Sequence, residues 1–245
     1  MRKFGTFLFL SSLCLVTGCS KNDPILPGTR EAVFGGNDLM ILNTDIPNAP
    51  QNMPEIKTVD CPYTQDSSNI IWSGDKKIFS GFPTNNTVKC AHTPVCNGNF
   101  VYAGLTTGEV VKVNPRNREI VWVQDIFRTS NLTGGASVLD IIAPIVIDNG
   151  FVYAGGLGDA FCKIQNSNGS KKWCVNIGVS LPFIVADSVA LVVATDNHLY
   201  AIKTSDGSVY WRSKVKKQYE PVLHDGIITV DKERFHVANG ELIKK

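Results

Sequence analysis

The side chains with the most reactive chemistry in this chain are seven cysteines and four histidines, and their spacing limits what they can do. Cys90, His92 and Cys96 form a Cys-x-His-x3-Cys cluster of a type zinc accepts. A structural zinc site takes four ligands, however, and no fourth lies nearby. The same cysteines can instead form a Cys90–Cys96 disulfide or remain thiols. Cys162 and Cys174 flank a predicted hairpin around Asn168-Gly169. A loop of odd count centred on Asn168 sets the two sulfurs face to face. A two-residue Asn-Gly turn would instead set Cys162 against Val175 and put the cysteines on opposite faces. A bond between them would pin one hairpin and perform no reaction. His198, His224 and His236 sit in separate segments, with no Ser-His-Asp order or dyad among them. No catalytic residue, metal or cofactor is expected.

Cys19 has a different chemistry. Arg2 and Lys3 precede a mostly apolar run from Phe4 to Val16, followed by Thr17-Gly18-Cys19. A basic start, a short apolar core and small residues before a cut read as a secretory signal over residues 1–18. The run is too short for an ordinary membrane-spanning helix. A cysteine directly after the small residues resembles a bacterial lipoprotein signal, with Cys19 as the lipidated first residue. Several acyl chains would give stable attachment where one would not. In such lipoproteins a serine after the cysteine, here Ser20, implies export to the outer membrane. Cys61, Cys90, Cys96, Cys162 and Cys174 then remain, an odd number in a compartment where disulfides persist.

The chain carries 24 basic and 22 acidic residues, and without Arg2 and Lys3 it is formally neutral at 22 and 22. The basic excess of a nucleic-acid binder is missing. Lys214, Lys216 and Lys217 read as an exposed loop. Asn85, Asn131 and Asn168 begin Asn-x-Ser/Thr sites, which a bacterial lipoprotein does not use.

These residues are positioned by a repeat. FVYAGLTTGEVVKVNPRNREIVW, FVYAGGLGDAFCKIQNSNGSKKW and LVVATDNHLYAIKTSDGSVYW overlay, closing on Trp122, Trp173 and Trp211. Pro94, Pro144, Pro182 and Pro221 precede successive units, 50, 38 and 39 residues apart. Short β-branched runs separated by Gly, Asn and Asp turns, repeated at about 40 residues, predict β-propeller blades. The expected fold is all-β, a reduced or incomplete propeller of PQQ/WD40-like repeats with four clear blades and room for a fifth. Residues 19–54, rich in Asn and Pro, read as a lipidated terminus and tether, and residues 55–245 as the propeller. Trp72, 50 residues before Trp122, marks either a degenerate blade or the lead-in to the first good one. The recurrence of tryptophan at one place per repeat predicts packing between blades, not ligand stacking. The unit after Pro221 looks incomplete. A strand from residues 30–42 is the expected completion, removing an exposed edge.

The Gly207-Ser208-Val209-Tyr210-Trp211 ending resembles the PQQ-type propeller repeat, from about residue 94 onward. With the lipoprotein signal and the segment Leu26-Pro27-Gly28-Thr29-Arg30, the chain resembles alphaproteobacterial members of the BamB family. That resemblance implies an outer-membrane lipoprotein facing the periplasm and acting as a non-enzymatic scaffold of the β-barrel assembly machine. It would bind the POTRA region of BamA and assist insertion of outer-membrane proteins. The familiar propeller of that family has eight blades and a far longer chain, so the ring here is expected to be reduced or open. In the family an acidic loop before a blade-starting proline contacts BamA. The matching stretch is Ser137–Pro144, with Asp140 and Ile141 as partner-binding candidates and one acid where the family has more. Arg128, on the insertion before it, could clamp a carboxylate. An exposed edge at Phe235 or Val237 could pair with a client strand. A periplasmic scaffold serving another envelope partner is the alternative. Quinoprotein dehydrogenases share the repeat, but they need a full ring, a calcium site and adjacent cysteines, and no adjacent cysteines occur here.

Overall fold

The computed structural model describes residues 39–55, 60–84, 93–126 and 138–244. These lie within one compact unit, Asn37–Lys245. Among the described residues, eighteen strands form five antiparallel sheets that follow one another in chain order. Sheet I holds β1 (Tyr63–Gln65), β2 (Ile70–Ser73) and β3 (Lys76–Ser80). Sheet II holds β4 (Val95–Asn97), β5 (Phe100–Gly104), β6 (Glu109–Asn114) and β7 (Glu119–Asp125). Sheet III holds β8 (Val146–Asp148), β9 (Phe151–Gly156), β10 (Ala160–Gln165) and β11 (Lys171–Val175). Sheet IV holds β12 (Ile184–Ala186), β13 (Val189–Val193), β14 (His198–Lys203) and β15 (Val209–Lys214). Sheet V holds β16 (Val222–His224), β17 (Ile227–Val230) and β18 (Glu233–His236). Within each sheet, strand neighbours in sequence are neighbours in space, the arrangement of propeller blades.

The central strands explain the stacking. Val189–Val193 is buried along its whole length, and β9 and β10 nearly so, so these strands are covered on both faces. A sheet hydrophobic on both faces must be sandwiched, and its neighbours in the chain do this. Tight hairpins join the strands, as at Asn149-Gly150, where both residues take positive φ (45° and 78°). Among the described residues, four hydrophobic clusters each join two consecutive sheets, and none joins sheet V to sheet I. Among the described residues the core thus runs from blade to blade in chain order.

Two expectations are corrected. Residues 39–53 are not a free tether. Val209 N–H donates to Met40 O (2.9 Å), Leu42 N–H to Val209 O (2.8 Å) and Thr44 N–H to Tyr210 O (3.1 Å). The segment thus runs parallel to β15 as a strap. Ile46 then enters the core shared by sheets IV and V, and Met53 N–H reaches Leu223 O (3.1 Å). The strap covers sheet IV instead of completing sheet V, because Val209 and Tyr210 offer it an apolar outer edge. Sheet V is instead extended by the chain beyond β18: His236 N–H donates to Glu241 O and Ile243 N–H to Arg234 O. That leaves Phe235 and Val237 buried, so the expected open edge there is covered.

Candidate partner-binding surface

Each blade is fastened to the next by its outermost strand. A register shift in that strand places one extra residue just before the tryptophan: Val121 before Trp122, Lys172 before Trp173 and Tyr210 before Trp211. The bulge turns the indole out of its own sheet and toward the next one. There it meets the turn before the next outer strand. Trp122 Nε1–H donates to Asn166 O (2.9 Å), Trp173 to Thr204 O (3.0 Å) and Trp211 to Val237 O (3.1 Å). Three residues beyond each acceptor stands a glycine with positive φ: Gly169, Gly207 and Gly240. A Cβ on Gly207 would sit 2.9 Å from a Trp173 ring carbon, so the ring lies directly on the turn. The indoles are used for packing and are not displayed for ligands.

Two lysines in equivalent places had no sequence reading. Lys112 Nζ donates to Asn166 O (2.9 Å), and Lys163 Nζ to Thr204 O (2.8 Å), the carbonyls that also hold the tryptophans. Lys112 lies over the Phe100 ring (4.3 Å) and Lys163 over Phe151 (3.8 Å). Burial pushes both ammonium groups below the ordinary lysine value. The signal was present in the aligned repeats, where Lys112 and Lys163 share a column that Ala201 fills in the third.

The expected Cys162–Cys174 disulfide is present, and the pairing of Cys96 differs from expectation. Cys174 stands opposite Cys162 and is bonded to it, with Cα atoms 4.1 Å apart. The turn pairs Gln165 with Ser170, and the bulge at Lys172 then advances the register by one. Without that bulge Cys162 would face Trp173. Cys96 is bonded to Cys61, not to Cys90, tying the chain before β1 to β4 and so linking sheets I and II. Cys90 and His92 lie outside the described residues, as do Cys19, Arg128, Asn85 and Asn131. His198, His224 and His236 fall in three different strands. Among the described residues no group of three potential metal ligands occurs, and no helix is long and apolar enough to cross a membrane.

The loop that carries Asp140 and Ile141 runs from sheet II to sheet III. Ile141 N–H donates to Leu105 O (3.2 Å) and Leu157 N–H to Asp140 O (2.9 Å), so the loop holds one turn of each sheet. Gly104 permits this, since a Cβ there would collide with the Ile141 side chain. Asp140 and Ile141 are therefore neighbours but both buried, whereas Pro144 is exposed and Leu139 and Ile142 are half-buried. A cavity of about 30 Å³ lies beneath, lined by Thr93, Gly104 and Ile141–Ile145. It has room for about one water. What the loop can offer a partner is a short apolar ridge on a rigid base.

The profile of the family described as "Outer membrane protein assembly factor BamB" matches residues 57–213. BamB of Moranella endobia (strain PCIT) is 23% identical over 146 residues, 58% of this chain and 38% of that protein. BamB of Alkalilimnicola ehrlichii is 24% identical over 127 residues, 51% of this chain and 33% of that protein. The aligned part thus spans 38% of one relative and 33% of the other, roughly a third of each. The crystal structure of BamB from Moraxella catarrhalis superposes with a TM-score of 0.62 at 14% identity, covering 76% of this chain and 61% of that one. The shared fold and the length of the profile match make this chain a member of the BamB family of outer-membrane-protein assembly factors.

Proposed function

We propose that this protein is a non-enzymatic scaffold in outer-membrane protein assembly, held at the periplasmic face of the outer membrane through a lipidated Cys19. Its partner is the POTRA region of BamA, met by the loop around Asp140 and Ile141 together with Arg128. The observation that supports this reading is the construction of that loop. It bridges two blades, its base is fixed by backbone hydrogen bonds, and its apolar crest at Leu139, Ile142 and Pro144 reaches solvent. Asp140, fully buried, shapes the loop from beneath. Its effect on a partner is indirect.

The test is capture from membranes solubilised in mild detergent, with photo-crosslinking residues at Ile142 and Pro144. BamA is expected among the trapped proteins. A different envelope protein in its place would move the scaffold to another machine. Cys19→Ala is expected to shift the protein from the membrane to the soluble periplasmic fraction, and unchanged fractionation would remove the anchor from the proposal.

A further inference from the structure

Four outer strands can be compared position by position, because a bulge fixes their register against one docked ring. The ring is Phe79 in β3, Trp122 in β7, Trp173 in β11 and Trp211 in β15. The residues one and two places before it lie along the outer edge. In β11 these are Lys172 and Lys171; in β3 they are buried Ile78 and exposed Lys77, with exposed Lys76 one place further out. Lysines on an edge strand block the addition of another strand. In β15 the two positions are Val209 and Tyr210, only 0% and 7% exposed, because the strap covers them. In β7 they are Ile120 and Val121, 51% and 39% exposed, with Val123 beyond them at 44%. Among the described residues, no strand and no backbone hydrogen bond covers the outer side of β7. Among the described residues, the edges of β3 and β11 thus carry exposed lysines, that of β15 is covered, and that of β7 is apolar and bare.

We propose that the outer edge of β7 receives an extended apolar segment of another protein. It lies parallel to β7, in the register that Met40–Thr44 takes on β15. The strap supplies the geometry. Val209 N–H donates to Met40 O, Leu42 N–H donates to Val209 O, and Thr44 N–H donates to Tyr210 O. Transferred by the bulge, the Ile120 N–H donates to the segment and the Ile120 and Val121 carbonyls accept from it. The incoming side chains cover Ile120, Val121 and Val123. Exposed Glu119 stands at one end of the apolar row, which suits a segment with a basic flank at that end, whereas Asp125 at the other end is paired with Lys171. A second copy of this chain fits less well. Two β7 edges related by a two-fold axis would pair antiparallel, whereas the edge addition seen here is parallel. The inference stands on strand geometry and is independent of the BamA reading.

The probe is a fluorescent peptide with the strap sequence Leu39–Ile46 and a lysine flank, titrated onto the full chain by anisotropy. Ile120→Lys and Val121→Lys copy the protected edge of β11. Both sites are exposed, so folding is expected to persist, checked by far-UV circular dichroism and melting temperature. Val222→Lys, at an exposed apolar site elsewhere, controls for general hydrophobic adhesion. At least tenfold weaker binding is expected for the β7 variants and unchanged binding for the control. A photo-crosslinker at the peptide's C-terminus is expected to label the Gln124–Asp125 end. Equal affinity in all variants, labelling of β15 or β11, or labelling at the Glu119 end would overturn the proposal. So would a wild-type dimer that Val121→Lys converts to monomer, since the edge would then belong to a second copy. BamA capture at the Asp140 loop is unaffected by any of these outcomes.

Discussion

Replacing Gly207 by alanine should weaken the stack of blades at one joint, and the structure separates the cost into two parts. Gly207 has φ of 80°, so any side chain there is strained. An L-residue in left-handed backbone costs about 1–2 kcal/mol. The added Cβ would also sit 2.9, 3.0 and 3.1 Å from three Trp173 ring carbons. Overpacking of that kind costs about 1–3 kcal/mol. The expected total is about 2–5 kcal/mol. Gly74 provides the comparison, with φ of 56° and nothing within 4 Å of its Cβ. Gly74→Ala should therefore cost only the backbone part, about 1–2 kcal/mol. Trp173→Ala alone should cost about 3 kcal/mol, the low end for a large ring that is partly buried. In that background the steric part of Gly207→Ala disappears. The double mutant should be more stable than the sum of the singles by about 1–3 kcal/mol. Urea titration followed by far-UV circular dichroism measures all four proteins without relying on the deleted fluorophore. A Gly207→Ala cost that is the same with and without Trp173 would refute the account of how blades dock.

Trp72 and Trp211 should behave differently, since Trp211 is buried with its N–H on Val237 O, whereas Trp72 is partly exposed with its N–H on Asp66 Oδ2. Trp211→Ala should cost about 3–5 kcal/mol, and urea midpoints should show a clearly smaller loss for Trp72→Ala. Removing Cys162–Cys174, separated by 12 residues, should cost about 3 kcal/mol by loop entropy. Removing Cys61–Cys96, separated by 35, should cost about 4 kcal/mol, read as midpoints of paired alanine variants. Burial, aided by Asp148 beside Tyr153 and by Asp196 beside Tyr200, pushes both phenols up to about 12. The folded value lies above the unfolded one, so this stability is complete below about pH 10 and is lost as pH rises toward 12. The loss is about 2–3 kcal/mol per tyrosine, and Tyr153→Phe should remove one share of the difference between midpoints at pH 9.5 and 11.5.

The repeat was legible because three tryptophans occupy the same structural position, so counting residues between them counted blades. The first blade was left open between a degenerate blade and a lead-in because its outer strand carries no tryptophan. Phe79 follows the bulge in β3 and is buried between sheets I and II, while Trp72 lies one strand earlier. Identity of residue type suggested Trp72, and only register reveals Phe79. The Cys162–Cys174 pair depended on whether the hairpin slips by one. The bulge at Lys172 decides that, and bulges leave no reliable mark in a single sequence. Cys61 could not be assigned to Cys96, since their pairing depends on sheets I and II standing side by side. The strap was visible as an apolar stretch. Its destination was not, because both the incomplete sheet V and the apolar edge of β15 offered a place for it. Asp140 was found by position in its loop, but its burial follows from the backbone bonds of Ile141 and Leu157, which sequence does not display.

Residue choice at sheet I sets its outward turn apart from those of the other blades. The joints between sheets II and III and between sheets III and IV each set a tryptophan on a turn with a glycine four residues before the next outer-strand ring: Gly169 before Trp173, Gly207 before Trp211. A blade preceding sheet I would need to seat its tryptophan on the turn between β2 and β3. That turn is tight, with Ser73 paired directly to Lys76, and Gly74 faces open space. It lacks both the wide loop and the ring-facing glycine of the other joints. Three neighbouring residues, Asp75, Lys76 and Lys77, are exposed and charged. Burying two ammonium groups against an indole face without partners would cost more than the contact returns. A protein that abuts sheet I at this turn would meet charge. Substituting Lys76 and Lys77 by Glu should abolish such an encounter while leaving the stability of the blades unchanged. A fall in the urea midpoint would instead show that these lysines hold sheet I together.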